Sequence, residues 1–244
     1  MKNRSYLFGR NPIREKLKTL KSGELLIKKN VNNSTIIDII KKAKSKNITI
    51  TYIDNADFQR QFGKENTQGL VLKINEEYTN YITLEDLLQS IKENTKSILI
   101  ILDGIEDVGN FGAILRNALL FNADGIIIPK NNSAPITETV AKRSAGALMH
   151  SKIVYVTNIV NTIKTLKQND YWIYAADKSG KSLNEISFSK KSALIFGSEN
   201  RGIRPLVKQN SDVIVTIPTN DKLDSLNLAV STGIILYEIN RNRD

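Results

Sequence analysis

The period of the hydrophobic pattern changes repeatedly along the chain and divides it in two. Pro12 to Leu20 carries apolar residues at helical spacing with Asn11 in the capping position, and Thr35 to Ala43 does so behind Ser34. Leu25 to Lys28 reads as a strand. Ile48 to Ile53 alternates apolar and polar as a half-buried strand should, and Gly69 to Ile74 supplies a further strand. These elements predict a small α/β domain over residues 1–75. The polar, unpatterned run Asn75 to Tyr81 predicts a linker at 76–82. From 83 to 244 strands and helices alternate. Strands are expected at Ser97 to Leu102, Gly125 to Ile128, Ile153 to Val156, Tyr171 to Ala176, Ser192 to Phe196 and Val213 to Ile217. Helices are expected to start at Asn110, Thr137, Ile159 and Ser225. Runs such as Ile98-Leu-Ile-Ile-Leu need cover on both faces, which predicts a parallel sheet between helix layers.

Composition narrows what such a fold can do. At 244 residues and 41% hydrophobic content the chain can bury a real core. No apolar run approaches a membrane span, and the first residues lack a signal-peptide pattern. The expectation is therefore a protein of the cytoplasm, or the mature part of an organellar one, with no membrane association. The absence of cysteine excludes thiolate chemistry, and the single His150 excludes a multi-histidine site, so no metal is expected. The net charge of +10 is concentrated early, in Arg10-Asn-Pro-Ile-Arg-Glu-Lys-Leu-Lys and Lys41-Lys-Ala-Lys-Ser-Lys. That clustering points to a nucleic acid partner.

Three stretches of the second domain join a predicted strand to a predicted helix through polar turns. In the first, Phe111, Ile114, Leu115, Ala118 and Leu119 form an apolar stripe, with Gly112 and Arg116 on another face. A helix start at Asn110 with free backbone donors, followed by Arg116, suits a phosphate or carboxylate, and suits an ordinary capped helix equally well. In the second, Phe196-Gly-Ser-Glu-Asn-Arg-Gly-Ile, two glycines permit a sharp turn and close ligand approach while Glu199 stands at the carboxyl edge of the sheet. A tight turn ending at Pro205 would look the same. In the third, Ile217 to Glu238, Ser225 is a good cap for a helix apolar nearly all round, with Ala229, Ser231, Thr232 and Gly233 inside it. Such small residues let another helix approach closely, from this chain or a second copy. Common nucleotide motifs are absent: Ser179-Gly-Lys-Ser has the ending of a phosphate loop but not its first glycine.

Taken in order, the three stretches resemble the SpoU (TrmH-like) branch of the SPOUT RNA methyltransferases. The resemblance rests on Asn110, Gly112 and Arg116, on Phe196-Gly-Ser-Glu-Asn-Arg-Gly, and on Ile217-Pro and Ser225-Leu-Asn ahead of the small-residue helix. The first domain is similar to the substrate-binding domain of the RlmB-type 23S ribosomal RNA guanosine 2'-O-methyltransferases, in Tyr6-Leu-Phe-Gly-Arg-Asn-Pro-Ile-Arg-Glu-Lys-Leu and Asn66-Thr-Gln-Gly. Val108 and Thr67 stand where relatives commonly have Pro and His.

The resemblance implies an α/β SPOUT domain with a deep C-terminal trefoil knot, S-adenosylmethionine as methyl donor, and a homodimer with its site at the subunit interface. It implies that Gly197, Ile217 and Leu226 hold the donor and that Arg116, Asn110, Glu199, Ser225 and Asn227 form the polar catalytic group. The implied reaction is methylation of a ribose 2'-hydroxyl of a guanosine in 23S ribosomal RNA. Transfer RNA, a ribosomal RNA adenosine, or a non-catalytic role in ribosome assembly are the alternatives at this point.

Overall fold

A computed structural model describes residues 5–20, 22–31, 33–74, 81–131, 133–136, 138–220 and 225–241. Residues 75–80, which include most of the expected linker at 76–82, and Thr137 fall outside them. In chain order the elements are β1 (Ser5–Phe8), α1 (Arg10–Thr19), β2 (Gly23–Lys28), α2 (Ser34–Ser45), β3 (Thr49–Ile53), α3 (Asn55–Phe62) and β4 (Leu70–Ile74). They continue with α4 (Leu84–Ser90), β5 (Ser97–Asp103), α5 (Val108–Leu120), β6 (Gly125–Pro129), α6 (Glu138–Arg143) and β7 (Ile153–Val156). The last are α7 (Ile159–Lys167), β8 (Trp172–Ser182), β9 (Lys191–Gly197), α8 (Pro205–Gln209), β10 (Val213–Thr216) and α9 (Leu228–Arg241).

The chain divides into two compact units, 1–79 with 136–150, and 80–135 with 151–244. The first holds a four-stranded sheet in the order β1-β4-β2-β3, with β2 and β3 parallel and the other pairs antiparallel. Leu7, Ile13, Leu17, Leu25, Ile27, Ile36 and Ile39 are fully buried in its core. Phe8, Leu26, Phe58, Phe62 and Val71 form a smaller apolar cluster. That cluster accounts for α3, which the sequence pattern missed because only Phe58 and Phe62 mark its apolar face. Two caps also differ from expectation. Gly9 precedes α1, and the Asn33 side chain, rather than Ser34, caps α2 by accepting from the Thr35 amide at 2.9 Å.

The second unit is a six-stranded parallel sheet in the order β10-β8-β9-β5-β6-β7. Every residue of β5 is buried, as its unbroken apolar run requires. Strand β9 lies between β8 and β5, so two elements far apart in sequence meet at the sheet centre. Strand β8 runs beyond its expected end at Ala176. Tyr174 and Ala175 pair with Val213 and Ile214, the register slips, and Lys181 and Ser182 then pair with Val215 and Thr216. A Cβ at Gly180 would lie 2.6 Å from the Ile214 carbonyl group, so the extension passes too close to β10 for any side chain there. No helix among the described residues is long and apolar enough to cross a membrane.

Candidate active site

The site is built at the carboxyl ends of β5, β9 and β10. Helix α5 begins at Val108, two residues before the expected start, because Asp107 caps it by accepting from the Asn110 amide at 2.6 Å. That carboxylate fills the position where free helix donors had suggested an anion site. Phe111, Ile114, Leu115 and Ala118 are buried as the stripe predicts, but Leu119 is 41% exposed.

Beyond β9 the chain folds back on itself. Gly202 donates to the Ser198 carbonyl at 2.8 Å, and a Cβ at Gly197 would stand 2.0 Å from the Gly202 carbonyl carbon. Gly197 is therefore demanded first by the loop's own backbone. Arg204 closes this loop against β5: its amide and Nε donate to the buried Asp103 carboxylate at 3.0 and 2.8 Å. Asp103 ends an apolar strand, a signal that could have marked it from sequence.

The third stretch delivers its polar residues from the start of α9. This helix begins at Leu228, and Asn227 rather than Ser225 caps it, its Oδ1 accepting from the amides of Ala229 and Val230 at 2.9 and 3.2 Å. Residues 221–224 of the stretch lie outside the described residues. The small residues of α9 allow close approach to α5 of the same chain. Asn117 donates to the Ala229 carbonyl at 2.8 Å, and Gly233 leaves room for that asparagine.

These pieces converge in one hydrogen-bonded line. Asn227 Nδ2 donates to Asn110 Oδ1 at 2.9 Å, and Asn110 Nδ2 donates to Glu199 Oε1. Partial burial, then the charges of Asp107 and Glu106, push the Glu199 carboxyl above its usual range. Beside it opens a cavity of about 420 Å³. Gly197, Glu199, Ile217, Ser225 and Leu226 line it, together with apolar Phe196, Val215 and Ile235 and the carboxylate of Asp177. Five of the eight expected site residues thus share the cavity, and Asn110 and Asn227 adjoin it through Glu199. Arg116 stands apart. It is exposed on α5, and its side chain makes no hydrogen bond or ion pair with another described residue.

Residues 97–237 match the model of the SpoU rRNA methylase family, and residues 6–79 match that of the RNA 2'-O ribose methyltransferase substrate-binding domain. A protein of Borreliella burgdorferi, named as an uncharacterized tRNA/rRNA methyltransferase, is 40% identical over 210 residues, spanning 84% of this chain and 92% of the relative. YacO of Bacillus subtilis, named as a TrmH family tRNA/rRNA methyltransferase, is 33% identical over 242 residues, 98% of this chain and 96% of its own. Among solved structures, the SpoU methyltransferase AviRb of Streptomyces viridochromogenes in complex with AdoMet superposes with a TM-score of 0.79 at 18% identity, covering 98% of this chain and 90% of the other. A structure described as an RNA 2'-O ribose methyltransferase gives 0.81 at 20% identity, covering 99% and 90%. At these identities the superpositions speak to the fold.

Proposed function

The chain belongs to the SpoU rRNA methylase family, and from that premise we propose that it transfers a methyl group from S-adenosylmethionine to the ribose 2'-hydroxyl of a guanosine in large-subunit ribosomal RNA. The observation that carries this reading is the meeting of three separated stretches, through Asn227, Asn110 and Glu199, at one cavity.

The residues present suit the donor. The cavity falls within the usual ligand range of roughly 300–1,000 Å³, its apolar walls suit an adenine ring, and two carboxylates, Asp177 and Glu199, suit a cation. Gly197, Ile217 and Leu226 would hold the adenosine portion. Bound S-adenosylmethionine would supply a methyl carbon already activated by its sulfonium. What remains for the protein is to align the ribose hydroxyl and stabilise its oxygen as the proton leaves. Asn110 and Asn227 fix the site by hydrogen bonds, with Ser225 at the cavity wall, and Glu199 orients them. Arg116 stays charged in almost any surroundings, so its role is to hold an RNA phosphate or steady the developing alkoxide.

Its separation from the cavity supports a homodimer, with the arginine of one copy serving the cavity of the other. An exposed groove between α5 and α9, lined by Ala113, Phe121, Val230, Ile234 and Tyr237, would be the shared face. Residues 1–75, with the basic helices α1 and α2, would bind the RNA, 76–82 would link, and 83–244 would catalyse. The trefoil knot that the family resemblance implies belongs to the same proposal for 83–244. The protein is proposed to act where ribosomes are assembled, in the cytoplasm.

Mapping 2'-O-methyl marks in RNA from cells with and without the protein tests the substrate: loss of one guanosine mark in large-subunit RNA is expected, and loss only in transfer RNA would refute it. Arg116→Ala should abolish that mark while still binding S-adenosylmethionine in calorimetry.

A further inference from the structure

The Ser179-Gly-Lys-Ser sequence, which imitates the end of a phosphate loop, forms part of the β8 extension and is tied to a neighbouring carboxylate. Asp177 lines the cavity. Its side-chain bonds to described residues converge on one oxygen. Asp177 Oδ1 accepts from the Ser179 amide at 3.0 Å, from Ser179 Oγ at 2.8 Å, and pairs with Lys208 Nζ at 2.7 Å. Lys208, from α8, also donates to Ser179 Oγ at 2.9 Å. Asp177 Oδ2 accepts nothing from any other described residue. At 25% side-chain exposure the carboxylate still reaches solvent, so its second oxygen is open to a ligand in the cavity. The register slip between Ile214 and Val215 sits opposite this segment, and the crowding at Gly180 leaves the extension little freedom.

We propose that Asp177 is a recognition residue for the methyl donor, its Oδ2 accepting a hydrogen bond from a hydroxyl or ammonium group of that ligand, with Lys208 and Ser179 as positioning residues. This rests on the donor occupying the cavity. It assigns the mimic of a phosphate loop the opposite electrostatic preference, since an aspartate here rejects phosphate and favours a cationic or hydroxyl-bearing ligand. It also gives α8 a part in the site, because the helix that follows the Glu199 loop holds the opposite wall through Lys208.

The experiment is calorimetric titration of the full chain with S-adenosylhomocysteine, which binds without reacting. Asp177→Asn keeps the shape and removes the charge, and its affinity should fall about tenfold or more, the worth of a charge-assisted hydrogen bond. Lys208→Met and Ser179→Ala leave Asp177 in place but loosen it, so the KM for the donor should rise several-fold while kcat stays within about twofold. Methylthioadenosine, which lacks the amino acid group, separates the two ligand groups. An equal loss for it identifies a ribose hydroxyl, and no loss identifies the ammonium. Affinity of Asp177→Asn within about twofold of the parent overturns the proposal, and if that variant does not fold, an unchanged donor KM in both others does so. Failure of the parent chain to bind S-adenosylhomocysteine would instead overturn the donor reading itself.

Discussion

At the scale of the residue, Glu199 is an exposed carboxylate whose surroundings favour its protonated form. Its carboxyl is raised by partial burial first and by Asp107 and Glu106 next, so the folded protein binds its proton more tightly than the unfolded chain does. The linked stability is fully present below the ordinary value of 4.5 and is lost as pH rises through the raised one. Glu199→Gln is neutral at every pH and keeps an acceptor for Asn110. Its melting temperature should exceed that of the parent at pH 7, and the gap should close below pH 4.5. Methyl transfer should fall in the same variant, the usual exchange of stability for function. A melting curve that tracks the parent at both pH values would remove the electrostatic strain from this account. The parent protein should also release protons on binding a cationic donor at mildly acidic pH, measurable by calorimetry in buffers of different ionisation enthalpy.

At the scale of the element, the turn after β9 carries a sharper prediction. Gly197→Ala places a methyl group into the Gly202 backbone, which cannot yield as a side chain could. The expected cost is roughly 3 kcal/mol or more, seen in denaturant unfolding, with donor binding lost even where the protein still folds. Asn227→Ala is milder, about 1 kcal/mol for a lost cap, but it should also reduce methyl transfer by freeing Asn110. The strands of the second unit were legible from their apolar runs, since burial on both faces leaves a strong signal. Helix caps are less legible. Asp107, Asn33 and Asn227 each do the capping that a neighbour suggested, because several adjacent residues can satisfy the same amides and only the fold selects one. The β8 extension was illegible for a different reason: Asp177 to Ser182 is polar, and what makes it a strand is pairing with β10 across a register slip. Asp103 with Arg204, and Asp177 with Lys208, are contacts between distant positions that no local pattern contains.

At the scale of the whole molecule, the exposed apolar side chains along α5 and α9 give the proposed homodimer a direct test. Leu120 and Tyr237 are 65% and 57% exposed. Replacing both with lysine should give a folded monomer by sedimentation, inactive in methyl transfer because Arg116 would have no partner cavity to serve. A doubly substituted protein that remains dimeric would place the interface elsewhere. The central position of β9 has its own consequence, in time rather than space. The segment from Ile98 to Leu102 is apolar, rich in isoleucine and uncharged, the composition of an aggregation-prone strand. One of its edges is covered only by β9, which a ribosome makes nearly a hundred residues later. At the usual synthesis rate, that edge stays open for roughly 5 to 20 s on every nascent chain. A chaperone that occupies such an edge should therefore govern the yield of this protein more than any property of its finished fold.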